Sequence, residues 1–576
     1  MRAAVAAKAP PRLDLPPLRA AVVFAALALL FGGLAVRSLW LQTVNDDFLK
    51  GQGEARFSRE LEVPAHRGRI TDRHGEALAI STPVKSLWAF PSKLDISSAQ
   101  LGDLAKILET TPAALKRQID NAGDFVYLAK RLPPAVAERA LALRIQGLHD
   151  ENEYRRYYPG GEVTGHLLGF TGDRDAGQEG IELAQQAWLG GSAGSRRVII
   201  DRRGDVVEDV AAVRAPQAGR DLALSIDSRL QFVAFRELKA AVEQHKAKAG
   251  GLVVLDVATG EVLALANWPA FNPNRRDRIE RDRMRNRAFT DTFEPGSTLK
   301  PFAIATALDV GLVKPTSVVQ TQGGAMQIGG RTIRDAHPHG ALTVEEVLQK
   351  SSNIGTAKIA LQLPAETMHG KLAAAGFGTQ TRAGFPGEVS GRLRPAKTWK
   401  PIEQATISYG HGISTNLVQL ARAYTIFATD GALQPATLFK AAGPAAGAQV
   451  IKPETARAVR RMLEMATQPG GTAPRAQVVG YRVAGKTGTA HKLEGRTYAN
   501  KYVSSFVGFA PASNPRIVVA VMIDEPSAGQ YYGGSVAAPV FSAVTGASLR
   551  LLGIPADAPA NNVILPSDGV EVREET

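Results

Sequence analysis

Residues 251–256 read Gly-Leu-Val-Val-Leu-Asp and residues 261–266 read Glu-Val-Leu-Ala-Leu-Ala, with Ala258-Thr259-Gly260 between them. Two short apolar runs around a glycine-containing turn predict an antiparallel hairpin. A second pair, 502–510 and 516–524, lies near the far end of the chain, joined by a turn rich in Pro, Ser and Asn. The stretch between the pairs, about 297–470, is helix-rich. Strands from both ends around a helical middle are most simply one antiparallel sheet covered by helices, an α+β domain with a helical subdomain. It starts at 219, before Asp227, which is placed to cap a helix whose Leu230, Val233, Ala234, Leu238 and Ala241 share one face. A closing helix with Pro539 near its start and Gly553 past its end sets the domain at 219–555. Residues 556–576 hold Pro, Asn and acids without periodicity and are expected to form a flexible tail.

Upstream, 20–36 is a run of Ala, Val, Leu, Phe and Gly without a polar side chain. Seventeen helical residues span about 26 Å, and Leu39, Trp40 and Leu41 carry the run toward the ~30 Å of a bilayer core. Arg2, Lys8, Arg12 and Arg19 precede it against a single acid, Asp14. That asymmetry keeps 1–19 in the cytoplasm, makes 20–41 a transmembrane helix and exports the rest. A cleaved signal peptide would have a shorter apolar region and a small-residue cleavage site after it. Residues 42–218 read as a strand-rich pedestal, with 67–79 as two short strands around Asp72-Arg73-His74-Gly75 and 196–209 as a hairpin around Arg203-Gly204. A chain of 576 residues with 44% apolar and 21% charged residues suits several packed domains and excludes a mostly disordered polymer. The absence of cysteine excludes disulfides, thiol nucleophiles and cysteine metal sites. The net charge of +13 favours anionic partners such as a phospholipid surface, but the basic residues are mixed with acids, so no nucleic acid partner is expected.

Three pieces are candidates for chemistry. In Phe293-Glu294-Pro295-Gly296-Ser297-Thr298-Leu299-Lys300 a Pro-Gly turn opens a helix. Ser297 and Lys300, at i and i+3, share one face within hydrogen-bond reach. A serine nucleophile needs a base. Lys300 can serve only when neutral, so its pKa must fall by about three from ~10.4, roughly 4 kcal/mol of bias against its charge. The helix N-terminus also favours a developing oxyanion near the Ser297 N–H. Ser351-Ser352-Asn353 follows a capping box, Thr343 to Glu346, and precedes another helical run, so Ser351 and Asn353 project from a bend. A hydroxyl there can relay protons, and an amide can hold a substrate carbonyl. Lys486-Thr487-Gly488-Thr489 follows an apolar run and reads as a strand. Gly488 admits a ligand to the backbone, Thr487 and Thr489 face one side, and Lys486 offers a cation to a carboxylate. Taken singly, each piece reads first as an ordinary helix start, interhelical loop or strand end.

Two other patterns are set aside. Gly480 to Thr487 fits G-x-x-x-x-G-K-T, but its middle is bulky and no stable helix follows, so a phosphate loop is not expected. Asp335, His337 and His339 read as a solvated loop rather than a metal site.

In this order and spacing, Ser-x-x-Lys, Ser-x-Asn and Lys-Thr-Gly resemble the penicillin-recognising serine enzymes. Arg67-Gly-Arg-Ile-Thr-Asp-Arg-His-Gly, Arg155-Arg-Tyr-Tyr-Pro159, Gly180-Ile-Glu182, Thr290 to Ser297 and Tyr531-Tyr-Gly-Gly534 resemble class B penicillin-binding proteins. Residues 498–502 and 531–541 are most similar to their division-specific branch, the septal peptidoglycan D,D-transpeptidases of Gram-negative bacteria. The resemblance implies a single-pass inner-membrane anchor, a periplasmic dimerisation-type pedestal and a penicillin-binding transpeptidase domain. It implies that Ser297 attacks the penultimate D-Ala carbonyl of a stem peptide, with Lys300 as its base. Ser351 and Lys486 would pass the proton to the leaving amine, and Asn353 would hold the substrate amide. Thr487 and Thr489, on either side of Gly488, would bind the terminal carboxylate, with the N–H groups of Ser297 and Thr489 as oxyanion hole. No metal or organic cofactor is implied. The implied partners are stem peptides of the lipid-linked precursor and nascent glycan, β-lactams as inhibitors, a septal glycan polymerase and other division proteins.

Four competing readings stand beside this one. The elongation-specific transpeptidase of the same class is the nearest. A non-catalytic β-lactam sensor or division scaffold would need only the fold. A β-lactamase-like hydrolase would carry a Glu-x-x-Leu-Asn stretch, which is not found. A bifunctional glycan polymerase would carry Glu-Asp-x-x-Phe, whereas Glu208-Asp209 is followed by Val-Ala-Ala.

Overall fold

The computed structural model describes residues 16–43, 58–172, 175–200, 206–276, 280–495, 497–565 and 574. They fall into two compact units, one within Met1–Ala65 and Ser192–Gln217, the other within His66–Gly191 and Ala218–Thr576.

In the first unit Pro17–Thr43 is one α-helix. It opens on a proline, whose missing N–H costs nothing at that position. Pro17–Leu41 is long and apolar enough to cross a membrane, about 37 Å of helix against a core of about 30 Å. Phe24, Leu29 and Phe31 are uncovered by protein, a surface that suits lipid and not water. The Arg37 guanidinium lies 4.5 Å from the centre of the Trp40 ring. Ser58–Val63, Gly194–Ile200 and Val206–Arg214 form a three-stranded antiparallel sheet with Gly194–Ile200 in the middle. The turn expected around Arg203-Gly204 lies outside the described residues.

In the second unit Ile70–Thr71 pairs with Ala77–Ala89. Asp72 closes the turn between them by accepting from the N–H groups of His74 at 2.8 Å and Glu76 at 2.9 Å. Ala77–Ala89 also pairs with Val126–Leu132 and Leu148–Tyr157. Arg67, Arg156 and Glu182, distant in sequence, meet in the interior. Glu182 accepts from the Nε of both arginines at 2.7 Å, and all three side chains are buried. Ile70, Leu78, Tyr158, Leu168 and Ile181 share one hydrophobic core with Leu224, Leu255 and Phe302, so residues 66–191 fold against the later domain.

That domain is built on β1 (Ala249–Asp256), β2 (Val262–Trp268), β3 (Ala484–Glu494), β4 (Thr497–Ala510) and β5 (Ile517–Asp524), in the order β2-β1-β5-β4-β3 with every neighbour antiparallel. The two expected hairpins join through β1 and β5, with Val253 opposite Ala520. Around the sheet lie α1 (Ser228–Gln244), α2 (Lys300–Asp309), α3 (Val344–Lys350), α4 (Asn353–Ala360), α5 (Leu417–Ala428) and α6 (Ala538–Leu551). Alternation along β1 sends Val253 and Leu255 into the core under the helical middle. Leu252 and Val254 enter a second core with Leu230 and Leu238 of α1 and Val540 and Phe541 of α6. Asp227 caps α1, accepting from Arg229 N at 3.0 Å, and Thr343 with Glu346 forms the capping box of α3.

Residues 557 and 562 are hydrogen-bonded to the turn at 478–482. Asn562 Nδ2 donates to the carbonyls of Val478 and Tyr481, each at 3.0 Å, and its Oδ1 accepts from Gly480 N. Asp557 accepts from Arg482 N at 2.7 Å. Short polar side chains dock on a turn here, and such docking has no period to read.

Glu182→Ala would leave two guanidinium groups buried and facing each other. The expected cost is about 3–5 kcal/mol, seen as a lower thermal unfolding midpoint of the full chain. Asp227 also accepts from Arg229 Nη2 at 2.7 Å and contacts His74 Nε2 at 3.0 Å. Burial acts to raise its pKa, but the hydrogen bonds from Arg229 and His74 outweigh burial and hold it at about 2. Because the folded value lies below the ordinary 3.8, the contribution of about 2 kcal/mol is complete above about pH 4 and is lost as pH falls toward 2. Asp227→Asn should remove that acid limb from the stability–pH curve, measured by urea unfolding.

Candidate active site

The turn carrying Ser297 is a 3₁₀ segment, Gly296–Leu299, that runs directly into α2. In such a turn residues i and i+3 eclipse, which puts Ser297 and Lys300 on the same side. Both side chains are buried. Gly296 has φ +55°, and a Cβ on Gly410 would lie 2.1 Å from the Gly296 carbonyl oxygen, so the loop at 410 packs backbone to backbone against this turn. The buried Tyr424 hydroxyl of α5 donates to Thr298 O at 2.7 Å, and Thr298 Oγ1 donates to Pro295 O at 2.7 Å.

Lys300 Nζ donates to the carbonyl oxygen of Ser351 and, at 3.0 Å, to its hydroxyl. The second piece is thereby joined to the first. Ser351 sits between α3 and α4 in the left-handed region, φ +63°, a conformation that a residue with a Cβ adopts at about 1–2 kcal/mol. Its neighbours hold it there. Ser352 caps α4 by accepting from Gly355 N at 2.8 Å, and its hydroxyl donates to Asp335 Oδ2 at 2.6 Å. Asp335 Oδ1 accepts from Ile354 N at 2.9 Å. Asn353, the first residue of α4, donates from Nδ2 to Arg334 O at 3.1 Å. Asp335 is therefore a brace for the Ser351 bend, not part of a solvated loop. Among the described residues no group of three or more His, Cys, Asp or Glu could hold a metal ion.

Lys486, Thr487 and Thr489 lie buried on β3. That placement disposes of the phosphate-loop pattern, because Lys486 and Thr487 are in a strand and not at a helix start. A Cβ on Gly488 would fall 2.5 Å from Ser505 Oγ, 2.8 Å from Pro295 O and 2.9 Å from Thr298 Cγ2. Only hydrogen fits, so β3 presses its main chain against the Ser297 turn. Thr487 Oγ1 is 3.1 Å from Thr472 Oγ1 and 3.2 Å from Lys486 Nζ, and Thr489 Oγ1 accepts from Gly533 N at 2.9 Å. The eight residues expected at the site are thus carried by one bend, one turn and one strand end, with Lys300 joining the first two and Gly488 the last two.

Three further residues belong to this region. Glu294 accepts from Gly412 N at 2.8 Å and Tyr498 OH at 3.1 Å, and lies 3.2 Å from His411 Nδ1. Burial opposes its charge, but these hydrogen bonds prevail and lower its pKa. Tyr531 stacks on Tyr502, the β4 residue paired with His491 of β3, with ring centres 4.0 Å apart. Glu574, near the C-terminus, places its buried carboxylate on Thr489 Oγ1 at 2.9 Å and on Gly534 N. Burial raises its pKa, against the pull of Lys486 and the Gly534 N–H. Glu294 was legible as the third residue before Ser297; nothing in the sequence signals Glu574.

The penicillin binding protein transpeptidase domain family matches residues 250–546, and the penicillin-binding protein dimerisation domain family matches residues 62–224. The chain belongs to the penicillin-binding proteins, in the class B branch that combines these two domains. It is similar along nearly all its length to particular members. The probable peptidoglycan D,D-transpeptidase PenA of Neisseria meningitidis serogroup A is 45% identical over 93% of this chain and 93% of its own. The peptidoglycan D,D-transpeptidase FtsI of Escherichia coli K12 is 43% identical over 93% of this chain and 91% of its own. The apo TP domain of Burkholderia pseudomallei penicillin-binding protein 3 is 51% identical with a TM-score of 0.55, covering 58% of this chain and 98% of that one.

Asp335→Ala should release Ser352 and Ile354 together and let the Ser351 bend relax. A misplacement of about an ångström slows a positioned reaction by about a hundredfold. That drop is expected in the second-order rate of labelling by a fluorescent penicillin, with the chain still folded.

Proposed function

We propose that this chain is a serine peptidoglycan D,D-transpeptidase that cross-links stem peptides of the septal wall through an acyl-enzyme and is inactivated by β-lactams. The observation that carries the reading is the convergence at one sheet edge of the Ser297 turn, the Lys300–Ser351 contact and the Lys486 to Thr489 strand. Lys300 takes the hydroxyl proton as Ser297 Oγ bonds to the carbonyl carbon of the penultimate D-Ala. The developing oxyanion lies against the N–H groups of Ser297 and Thr489, at the start of a helical run. The C–N bond then breaks, and the terminal D-Ala leaves with a proton delivered through Ser351 and Lys486. Asn353 holds the stem amide, and Thr487 and Thr489 with Lys486 hold the terminal carboxylate. An amine of a second stem attacks the ester carbonyl, gives up its proton, and frees Ser297 as the crosslink closes. Every group in this sequence is a side chain or backbone amide of the chain.

The basic residues before the apolar helix support a cytoplasmic N-terminus, an inner-membrane anchor and a periplasmic active site. The septal branch is supported by the similarity of 498–502 and 531–541 and by FtsI among the relatives. In this reading the region matched by the dimerisation family docks a glycan polymerase and other division proteins.

Labelling the full chain with a fluorescent penicillin and mapping the modified peptide should find one adduct, on Ser297. Lys300→Ala should slow labelling by 10²–10⁴-fold, the usual contribution of a positioned base. A chain that stays unlabelled, or carries the label on another residue, would remove the nucleophile assignment, and lateral rather than midcell localisation would move the chain to the elongation branch.

A further inference from the structure

The mechanism above assigns Lys486, Thr487 and Thr489 to the terminal carboxylate of the donor stem. In the structure a carboxylate of this chain is already there. Glu574 Oε2 accepts from Thr489 Oγ1 at 2.9 Å, Oε1 accepts from Gly534 N, and the Thr487 hydroxyl and the Lys486 cation bear on the same group. Only 4% of Glu574 is exposed. A cation, two hydroxyls and a backbone N–H around one side chain are the donor set that a carboxylate requires.

The chain also provides the tether. Ile564 N donates to Gln477 Oε1 at 3.0 Å, and Gln477 Nε2 donates back to Ile564 O at 2.9 Å. With the three Asn562 contacts on 478–481, these bonds fix the tail beside the turn that leads into β3. The ten residues from Leu565 to Glu574 reach at most about 35 Å. A group on so short a tether competes at an effective concentration in the millimolar range.

We propose that Glu574 is an intramolecular ligand of the donor site, its carboxylate occupying the place of the stem's terminal carboxylate, so that it must leave before a stem peptide or a β-lactam can bind. The inference rests on the assignment of Ser297 and of Lys486 to Thr489 made above. The tail lowers the apparent rate of acylation by the fraction of time the pocket is open. A pocket open one-tenth of the time acylates about ten times more slowly than an open one.

The test compares the full-length chain, Glu574→Ala and a chain ending at Leu565. A fluorescent penicillin is the probe, and the measurement is the second-order rate of labelling at Ser297. Both variants should label about tenfold faster than the full-length chain. A synthetic peptide of residues 566–576 should slow the shortened chain in competition with the penicillin. Rates within twofold of each other, or slower labelling in both variants, would overturn the proposal and make Glu574 a structural staple. Failure of the full-length chain and both variants to label at Ser297 would instead overturn the nucleophile assignment, and the tail proposal with it.

Discussion

At residue 488 the edge of the sheet and the turn that carries Ser297 come so close that only a hydrogen atom fits between them. On its other side the same turn meets the backbone at Gly410 just as closely. Ser297, the proposed nucleophile, is thus held between main-chain surfaces, which have no rotamers to explore. A catalytic serine is useful only if its oxygen stays within a fraction of an ångström of its reactive position. Two glycines secure this, because any side chain at either place would force the strand or the loop off the turn.

From that clamp the rest follows outward. The strand that presses on the turn, β3, is the edge of a sheet whose central pair, β1 and β5, is buried on both faces. Its position is fixed by two hydrophobic cores, one on each side, so the edge cannot tilt without disturbing both. Lys300 is held from the opposite direction. Its acceptors are on Ser351, whose left-handed backbone is maintained by the Ser352 cap and by both oxygens of Asp335. The strain at Ser351 is therefore offset by three hydrogen bonds beyond the site.

The parts of this architecture that repeat locally were legible in the sequence. Apolar runs and turns gave both hairpins of the sheet, cap signatures gave the Thr343–Glu346 capping box and the Asp227 cap, and the three short motifs gave the turn, bend and strand of the proposed site. What was not legible depends on pairing across long distances. The β1–β5 pairing joins residues near 253 and 520, and no local pattern encodes it. Arg67, Arg156 and Glu182 were visible only as parts of separate resembling segments; their common cause is one buried charge cluster. The same holds for the core that residues 66–191 share with the later domain. Arg287 sits in a stretch of alternating charges and is nevertheless buried, paired with Asp282 and Asp291. Asp335 and Glu574 are single acids in polar surroundings, and a single acid has no signature until its donors are seen.

The pocket at the end of β3 explains why so polar a site can sit in the interior. A buried lysine beside two threonine hydroxyls is unfavourable unless a negative partner satisfies it. On the proposal above, the fold answers this with Glu574 of its own chain, whose carboxyl oxygens take the Thr489 hydroxyl and the Gly534 N–H. On the same proposal a substrate or inhibitor that binds there brings a carboxylate of its own, since one lacking it would displace Glu574 and leave the cation and hydroxyls unmatched. Selectivity for ligands ending in a carboxylate then comes from the requirement to replace what the chain already provides. The same requirement makes exchange between tail and stem nearly balanced in electrostatic terms, so the outcome is decided by the contacts each makes beyond the carboxylate.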